Sequence, residues 1–197
     1  MKQQLIESHP FEPFLPRKAK VLMLGSFPPP SKRWAMDFYY PNKTNDMWRI
    51  MGLMFYGDKN KFFKDGKYDL PLIREFASSK GIAFYDAATK VVRLKGNASD
   101  QFLQVVEQID LFAILDLIPQ CKAVVTAGEK SSKVIAGILD LPVPGVGQCI
   151  DFMHGEHKLM FCRMVSSSRA YPMAVEEKAR QYAALFRRIG FDVKSDF

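Results

Sequence analysis

Apolar residues recur along this chain in two rhythms, and the switch between them predicts its elements. Lys20-Val-Leu-Met-Leu-Gly25 is an unbroken apolar run closed by glycine, the pattern of a central parallel strand buried on both faces. Gly81-Ile-Ala-Phe-Tyr-Asp86 and Lys122-Ala-Val-Val-Thr-Ala-Gly128 repeat it. Positions 150–153 and 158–165 predict two last strands, turned through His154-Gly155-Glu156. Helical spacing intervenes. Trp48, Met51 and Met54 predict a helix over 45–54, and a second covers 72–79, stopped before Gly81. Phe102, Val105, Ile109 and Leu115 predict one long helix broken by Pro119, and further helices are expected over 130–139 and 175–189. Alternating strands and helices imply a three-layer α/β/α fold around a central, mostly parallel four-stranded sheet.

In such a sheet the ligand site lies at the carboxyl ends of the strands, where the loops gather. These are the loops at 25–44, 86–100, Gly128 and 166–169. The stretch 28–43 holds too much proline for regular structure and carries Lys32, Arg33, Trp34, Phe38, Tyr39 and Tyr40. Positions 7–16 contain three prolines and read as an ordered lead-in, part of an N-terminal arm over 1–19. With no repeat or linker, the 197 residues are expected to form a single domain.

Composition narrows the class. With 48% hydrophobic and 25% charged residues, a disordered chain is excluded. The longest uncharged stretch, 141–150, is half the ~20 apolar residues that a membrane span needs. The first ten residues lack an apolar signal core. A soluble cytoplasmic protein without membrane association is therefore expected. The net charge of +7 attracts polyanions but does not choose among nucleic acid, acidic metabolites and a membrane surface. Cys121, Cys149 and Cys162 are odd in number and widely spaced, which argues against a disulfide framework and for buried structural thiols. His154 and His157 read as a turn rather than a metal site.

Familiar catalytic signatures are missing. Gly128-Glu-Lys-Ser131 lacks the upstream glycine of a phosphate-binding loop. Pro144-Gly-Val-Gly147 has no following helix, and there is no Gly-x-Ser-x-Gly elbow. Three polar loops remain. Gly25, Ser26 and Pro28 end the first strand, and Tyr39, Tyr40, Asn45 and Trp48 follow at fixed spacing. Val92, Arg93, Gly96 and Ala98 lie in the second loop, and Met164, Ser166, Ser167 and Ser168 in the third. In this order the residues resemble the uracil-DNA glycosylase superfamily, closest to its hypoxanthine-DNA glycosylase branch. The resemblance spans positions 21–171.

It implies a monofunctional DNA glycosylase of base-excision repair. Such an enzyme flips a deaminated base, uracil or hypoxanthine, out of DNA and hydrolyses its N-glycosidic bond as a monomer without metal or cofactor. Asn45 matches the branch's catalytic asparagine, which orients water, although it also stands where a helix N-cap belongs. Tyr40 falls where relatives stack an aromatic ring on the base; the alternative is a core aromatic. Asp86 replaces an edge-reading asparagine, and an ionised carboxylate accepts hydrogen bonds without donating; the alternative is a loop cap. Ser26 and Phe27 complete the base site. Phe27 stands where uracil-type enzymes carry Asp or Asn, which shifts the catalytic duty to Asn45. Ser166, Ser167, Ser168 and Arg169 match the loop that grips the strand, with Val165 replacing a proline; a serine turn is the alternative. Arg93 is expected on the DNA-facing rim with Lys32, Arg33, Lys43 and Lys95. Two other classes fit the residues: a superfamily member that binds nucleic acid without cleaving it, and a small-molecule enzyme acting on nucleosides.

Overall fold

A computed structural model of the chain describes residues 5–95 and 100–194. The strands are β1 (Ile6–Ser8), β2 (Val21–Gly25), β3 (Phe63–Lys64), β4 (Lys67–Tyr68), β5 (Ile82–Asp86), β6 (Ala88–Arg93), β7 (Leu103–Gln108), β8 (Ala123–Ala127), β9 (Gln148–His154) and β10 (His157–Met164). The helices are α1 (Met47–Tyr56), α2 (Leu70–Lys80), α3 (Leu111–Leu117), α4 (Glu129–Leu139) and α5 (Val175–Arg188).

The apolar runs form the centre. The main sheet has the order β5-β2-β8-β10-β9, with the first four strands parallel and β9 antiparallel at the edge. The expected four-stranded parallel sheet is therefore present, extended by one strand through the two-residue turn Gly155-Glu156, where Gly155 has φ 58°. Alternation along each strand sends side chains to two cores. Val21, Met23, Ile82, Phe84, Val125 and Met164 face α1, α2 and α5. Leu22, Leu24, Ala83, Val124 and Phe161 face α3 and α4 on the other side. The result is the three-layer α/β/α arrangement. Helix α1 packs on Phe84 of β5, Phe76 of α2 and Phe186 of α5, so its apolar residues are not confined to one stripe: Trp48, Ile50, Met51, Leu53, Met54 and Phe55 are all buried.

Three expectations need correction. The long helix through 102–118 is instead β7 followed by α3. Val105 and Val106 favour the extended chain, and Asp110 accepts the Ala113 N–H at 3.0 Å, starting a new helix. The second loop is not irregular throughout: Thr89, Val91 and Val92 belong to β6, which pairs with β7 and with β1 from the N-terminal arm in a small antiparallel sheet. Gly96 and Ala98 lie outside the described residues. Cys149 and Cys162 sit directly opposite each other on β9 and β10 and form a disulfide, leaving Cys121 as a buried free thiol. Sequence spacing did not reveal this pair because strand register, not separation along the chain, brings the two residues together. Among the described residues no helix is long and apolar enough to cross a membrane.

Candidate active site

The parallel strands β2, β5, β8 and β10 end on one side of the sheet, and a cleft of about 580 Å³ opens there. Gly25 and Asp86 contribute the tips of β2 and β5, Ala127 the tip of β8, and Ser166 to Ser168 the chain just past β10. The remaining wall comes from the proline-rich loop and the start of α1, through Tyr40, Asn42, Thr44 and Asn45. Of the residues expected at the site, Ser26, Phe27, Tyr40, Asn45, Asp86, Ser166, Ser167 and Ser168 all line this cleft.

Two loops are stitched together to place Asn45. Asn45 and Ser168 form an antiparallel bridge, the Asp46 N–H donates to the Ser167 carbonyl at 2.7 Å, and the Arg169 N–H donates to the Thr44 carbonyl at 3.0 Å. Asp46 then anchors a buried charge cluster. Its Oδ1 accepts from Arg169 Nε at 2.9 Å and its Oδ2 from Lys178 Nζ at 3.1 Å, while the same ammonium donates to the Ser168 carbonyl at 2.8 Å. Lys178 is fully buried, so these bonds replace the water it has lost. The N-cap of α1 is Asp46 rather than Asn45; Asn45 stands one residue earlier, and its Oδ1 accepts the Met47 N–H at 2.9 Å in an Asx turn that leads into the helix. A carbonyl oxygen has two lone pairs, so this bond leaves Asn45 able to accept a second proton from the cleft.

Tyr40 is held in an uncommon shape. Its φ is 53°, a left-handed conformation that bulky residues rarely adopt. Its neighbours fix it there: Trp48 Nε1 donates to the Tyr39 carbonyl at 3.0 Å, and the Tyr39 hydroxyl donates to the Glu12 carbonyl at 2.8 Å. Trp48, almost fully buried, is thus packing and backbone support. The Tyr40 hydroxyl is buried with no hydrogen-bond partner among the described residues. Burial pushes this phenol well above its ordinary range, helped by Tyr182 and Asp86, so it stays protonated.

Asp86 is 6% exposed. Its Oδ2 lies 2.9 Å from His9 Nε2. Its Oδ1 lies over Gly25, where a Cβ would stand 2.3 Å away, so only glycine admits the carboxylate at that place. Asp100 was not foreseen in the cleft. The residue is exposed and lines the cleft, and its carboxylate accepts from the Ser26 hydroxyl at 2.7 Å. Desolvation pushes that carboxyl above the usual range, and the Ser26 bond pulls it partly back.

The serine turn is both structural and available. Ser166 Oγ accepts the Ser168 N–H and Ser168 Oγ accepts the Ala170 N–H, each at 3.2 Å. Each hydroxyl still has a proton to donate.

The two expected arginines do not line the cleft. Arg93 is withdrawn from the rim: its side chain is 6% exposed, its Nε pairs with Glu7 at 3.0 Å, and its guanidinium donates to the Pro28 carbonyl and lies over the Phe27 ring. It clamps the N-terminal arm to the proline loop. Arg169 is half exposed beside the cleft and holds Asp46. Arg33 does line the wall.

Sequence reasoning also passed over His9. Nothing local marked it, because its partner lies 77 residues away.

No family model and no curated protein matches this chain. Solved structures do match. One is the solution NMR structure of a protein from Methanosarcina acetivorans, provisionally named a uracil DNA glycosylase. It is 19% identical, the alignment covers 95% of this chain and 100% of that one, and the TM-score is 0.64. The likeness is one of fold.

Proposed function

We propose that the chain is a monofunctional DNA glycosylase that hydrolyses the N-glycosidic bond of a deaminated base, uracil or hypoxanthine, in base-excision repair. The observation that carries this reading is the meeting of Asn45, Tyr40, Asp86 and the serine turn in one cleft at the strand ends. The fold shared with the Methanosarcina acetivorans protein supports it. Phe27, where a polar water-positioning residue would otherwise stand, favours the hypoxanthine-DNA glycosylase branch.

In this reading the C1′–N bond breaks, its electron pair leaves with the base, and the oxygen of water bonds to C1′. One water proton goes to the departing base. Asn45 Oδ1 accepts from that water and fixes it at the anomeric carbon, contributing position rather than basicity. The Tyr40 ring stacks on the flipped base, Asp86 Oδ1 accepts from its edge, and Ser26 and Phe27 complete the base site. Ser166, Ser167 and Ser168, with Arg169 beside them, engage the DNA backbone. Water is the nucleophile, and neither metal nor cofactor has a part. The Lys178 amine is occupied by Asp46 and Ser168, which favours hydrolysis without strand cleavage. The protein acts on DNA as a cytoplasmic monomer.

The test is base release from labelled oligonucleotides carrying uracil, hypoxanthine or xanthine, read after alkali cleavage, with Asn45→Ala alongside. Product from one lesion that disappears in the variant supports the reading. No product from any lesion, with salt-sensitive DNA binding retained, overturns it in favour of a binding protein.

A further inference from the structure

We infer that His9 is a positioning residue that keeps Asp86 an obligate hydrogen-bond acceptor, and that this polarity lets the cleft separate deaminated bases from their parents. The inference rests on the glycosylase reading of the cleft.

The N-terminal arm is built to deliver this imidazole. The His9 N–H donates to the Thr89 carbonyl at 2.8 Å, continuing the pairing of β1 with β6. The side chain is 3% exposed and sits among the rings of Phe11, Phe27, Tyr39 and Tyr85. Its Nε2 lies 2.9 Å from Asp86 Oδ2. Its Nδ1 lies 3.1 Å from the Phe11 nitrogen and 2.8 Å from the Phe11 oxygen. In the neutral ring Nδ1 accepts the Phe11 N–H; in the imidazolium it donates to the Phe11 carbonyl. Both arrangements leave Nε2 as a donor to Asp86. The remaining tautomer would set a lone pair against a carboxylate.

A carboxylate shut away from water is held as an acceptor where a donor answers one of its oxygens. His9 answers Oδ2. That leaves Oδ1, lying over Gly25 at the cleft wall, to meet the ligand. Such an oxygen matches a ring N–H and repels a ring nitrogen carrying a lone pair. Deamination makes this change: cytosine N3 and adenine N1 are acceptors, whereas uracil N3 and hypoxanthine N1 carry hydrogen. A fixed acceptor therefore tells product from parent by one proton, and an unpaired buried polar group makes the wrong choice costly.

The experiment is a double-mutant cycle in single-turnover base release from uracil and hypoxanthine oligonucleotides. His9→Phe keeps an aromatic ring in the cage but removes the donor, and His9→Gln restores an N–H. The expected result is a loss of about tenfold or more for His9→Phe, recovery to within about threefold of wild type for His9→Gln, and a change under about twofold when His9→Phe is added to Asp86→Asn. Losses that multiply in the double variant, or a His9→Gln protein that melts like wild type yet is as slow as His9→Phe, overturn the inference. If His9→Phe does not fold, ¹⁵N-detected NMR of the wild-type histidines decides. Nε2 of His9 must carry hydrogen, and a bare Nε2 overturns the inference. If the wild type releases no base, the glycosylase reading has failed and the same cycle is run on Kd. A preference for lesion over undamaged DNA that vanishes in His9→Phe, with no further loss in the double variant, sustains the inference; its absence overturns it.

Discussion

Lys178 Nζ lies 3.1 Å from Asp46 Oδ2 and 2.8 Å from the Ser168 carbonyl, so one buried ammonium on α5 ties together both loops that build the cleft. The two ends of this pair are not equivalent. Asp46 keeps Arg169 at 2.9 Å if Lys178 is lost, whereas Lys178, fully buried, keeps only a carbonyl if Asp46 is lost. Asp46→Ala is expected to cost about 3–5 kcal/mol of stability, the penalty of an uncompensated buried charge, and Lys178→Met distinctly less. Urea denaturation of the two variants measures the difference. Equal losses would mean that Arg169 does not hold Asp46.

Gly25 is where β2 meets the carboxylate of Asp86. A Cβ there would lie 2.3 Å from Asp86 Oδ1, so Gly25→Ala must move the carboxylate. Base release is expected to fall by about tenfold or more while the fold persists, since the clash falls on a side chain at the cleft wall. Gly137→Ala is the matched control. It has open space within 4 Å on α4, and it should gain roughly 0.5–1 kcal/mol of stability with unchanged turnover. A Gly25→Ala protein as active as wild type would remove Asp86 from the reaction.

Much of this arrangement was legible in the chain because it depends on local rhythm. The runs 20–25, 81–86 and 122–128 are largely apolar because helices cover both faces of the parallel sheet, although only the first and third became central strands and 81–86 is the edge strand β5. Their carboxyl ends then had to share one side, which placed Gly25, Asp86 and Ser166 together before any contact was known. What escaped is what distance along the chain conceals. Val105 fits a helical and a strand rhythm equally, and pairing with β6 decides between them. Cys149 meets Cys162 through strand register, and His9 meets Asp86 through the path of an arm. Arg93 looked like a surface cation because nothing local shows that Glu7 and the Pro28 carbonyl surround it.

Asp100 gives a pH dependence whose sign follows from the desolvation of its carboxyl. Desolvation raises its pKa above 3.8, so the folded protein holds this proton more tightly than the unfolded chain. The contribution to stability is complete below 3.8 and is lost as pH rises through the folded value. Asp100→Asn removes that titration. The variant should lose less stability than wild type as pH is raised from strongly acid conditions to neutrality. Denaturation midpoints for both proteins across that range test it, and parallel curves would show that the carboxyl is not desolvated.

The Cys149–Cys162 disulfide closes a hairpin at the sheet edge, with a sequence separation of 13. Thiol titration of the unreduced, denatured protein should find Cys121 alone, and reduction should release the other two. On the loop-entropy account a link of this length contributes about 3 kcal/mol, so reductant or Cys149→Ser should lower the melting temperature. Three titratable thiols before reduction would contradict the pairing.

The proposed mechanism gives Asn45 a second duty beside its structural one, and substitutions can separate the two. Its Oδ1 accepts the Met47 N–H at 2.9 Å in the Asx turn that starts α1, and the same carboxamide faces the cleft. Asn45→Ala removes both, at about 1 kcal/mol of stability and about 100-fold or more in base release. Asn45→Asp keeps an oxygen for the turn, so stability should return to within a few tenths of a kcal/mol of wild type. On the proposed mechanism it also brings a negative charge beside the attacking water, where a neutral amide would position that water without repelling the departing base. Activity should therefore not return in step with stability. A series in which rate follows melting temperature through Ala, Asp and wild type would reduce Asn45 to its Asx turn. Stable Asn45→Asp with base release still far below wild type would identify the carboxamide itself as the group that holds the water.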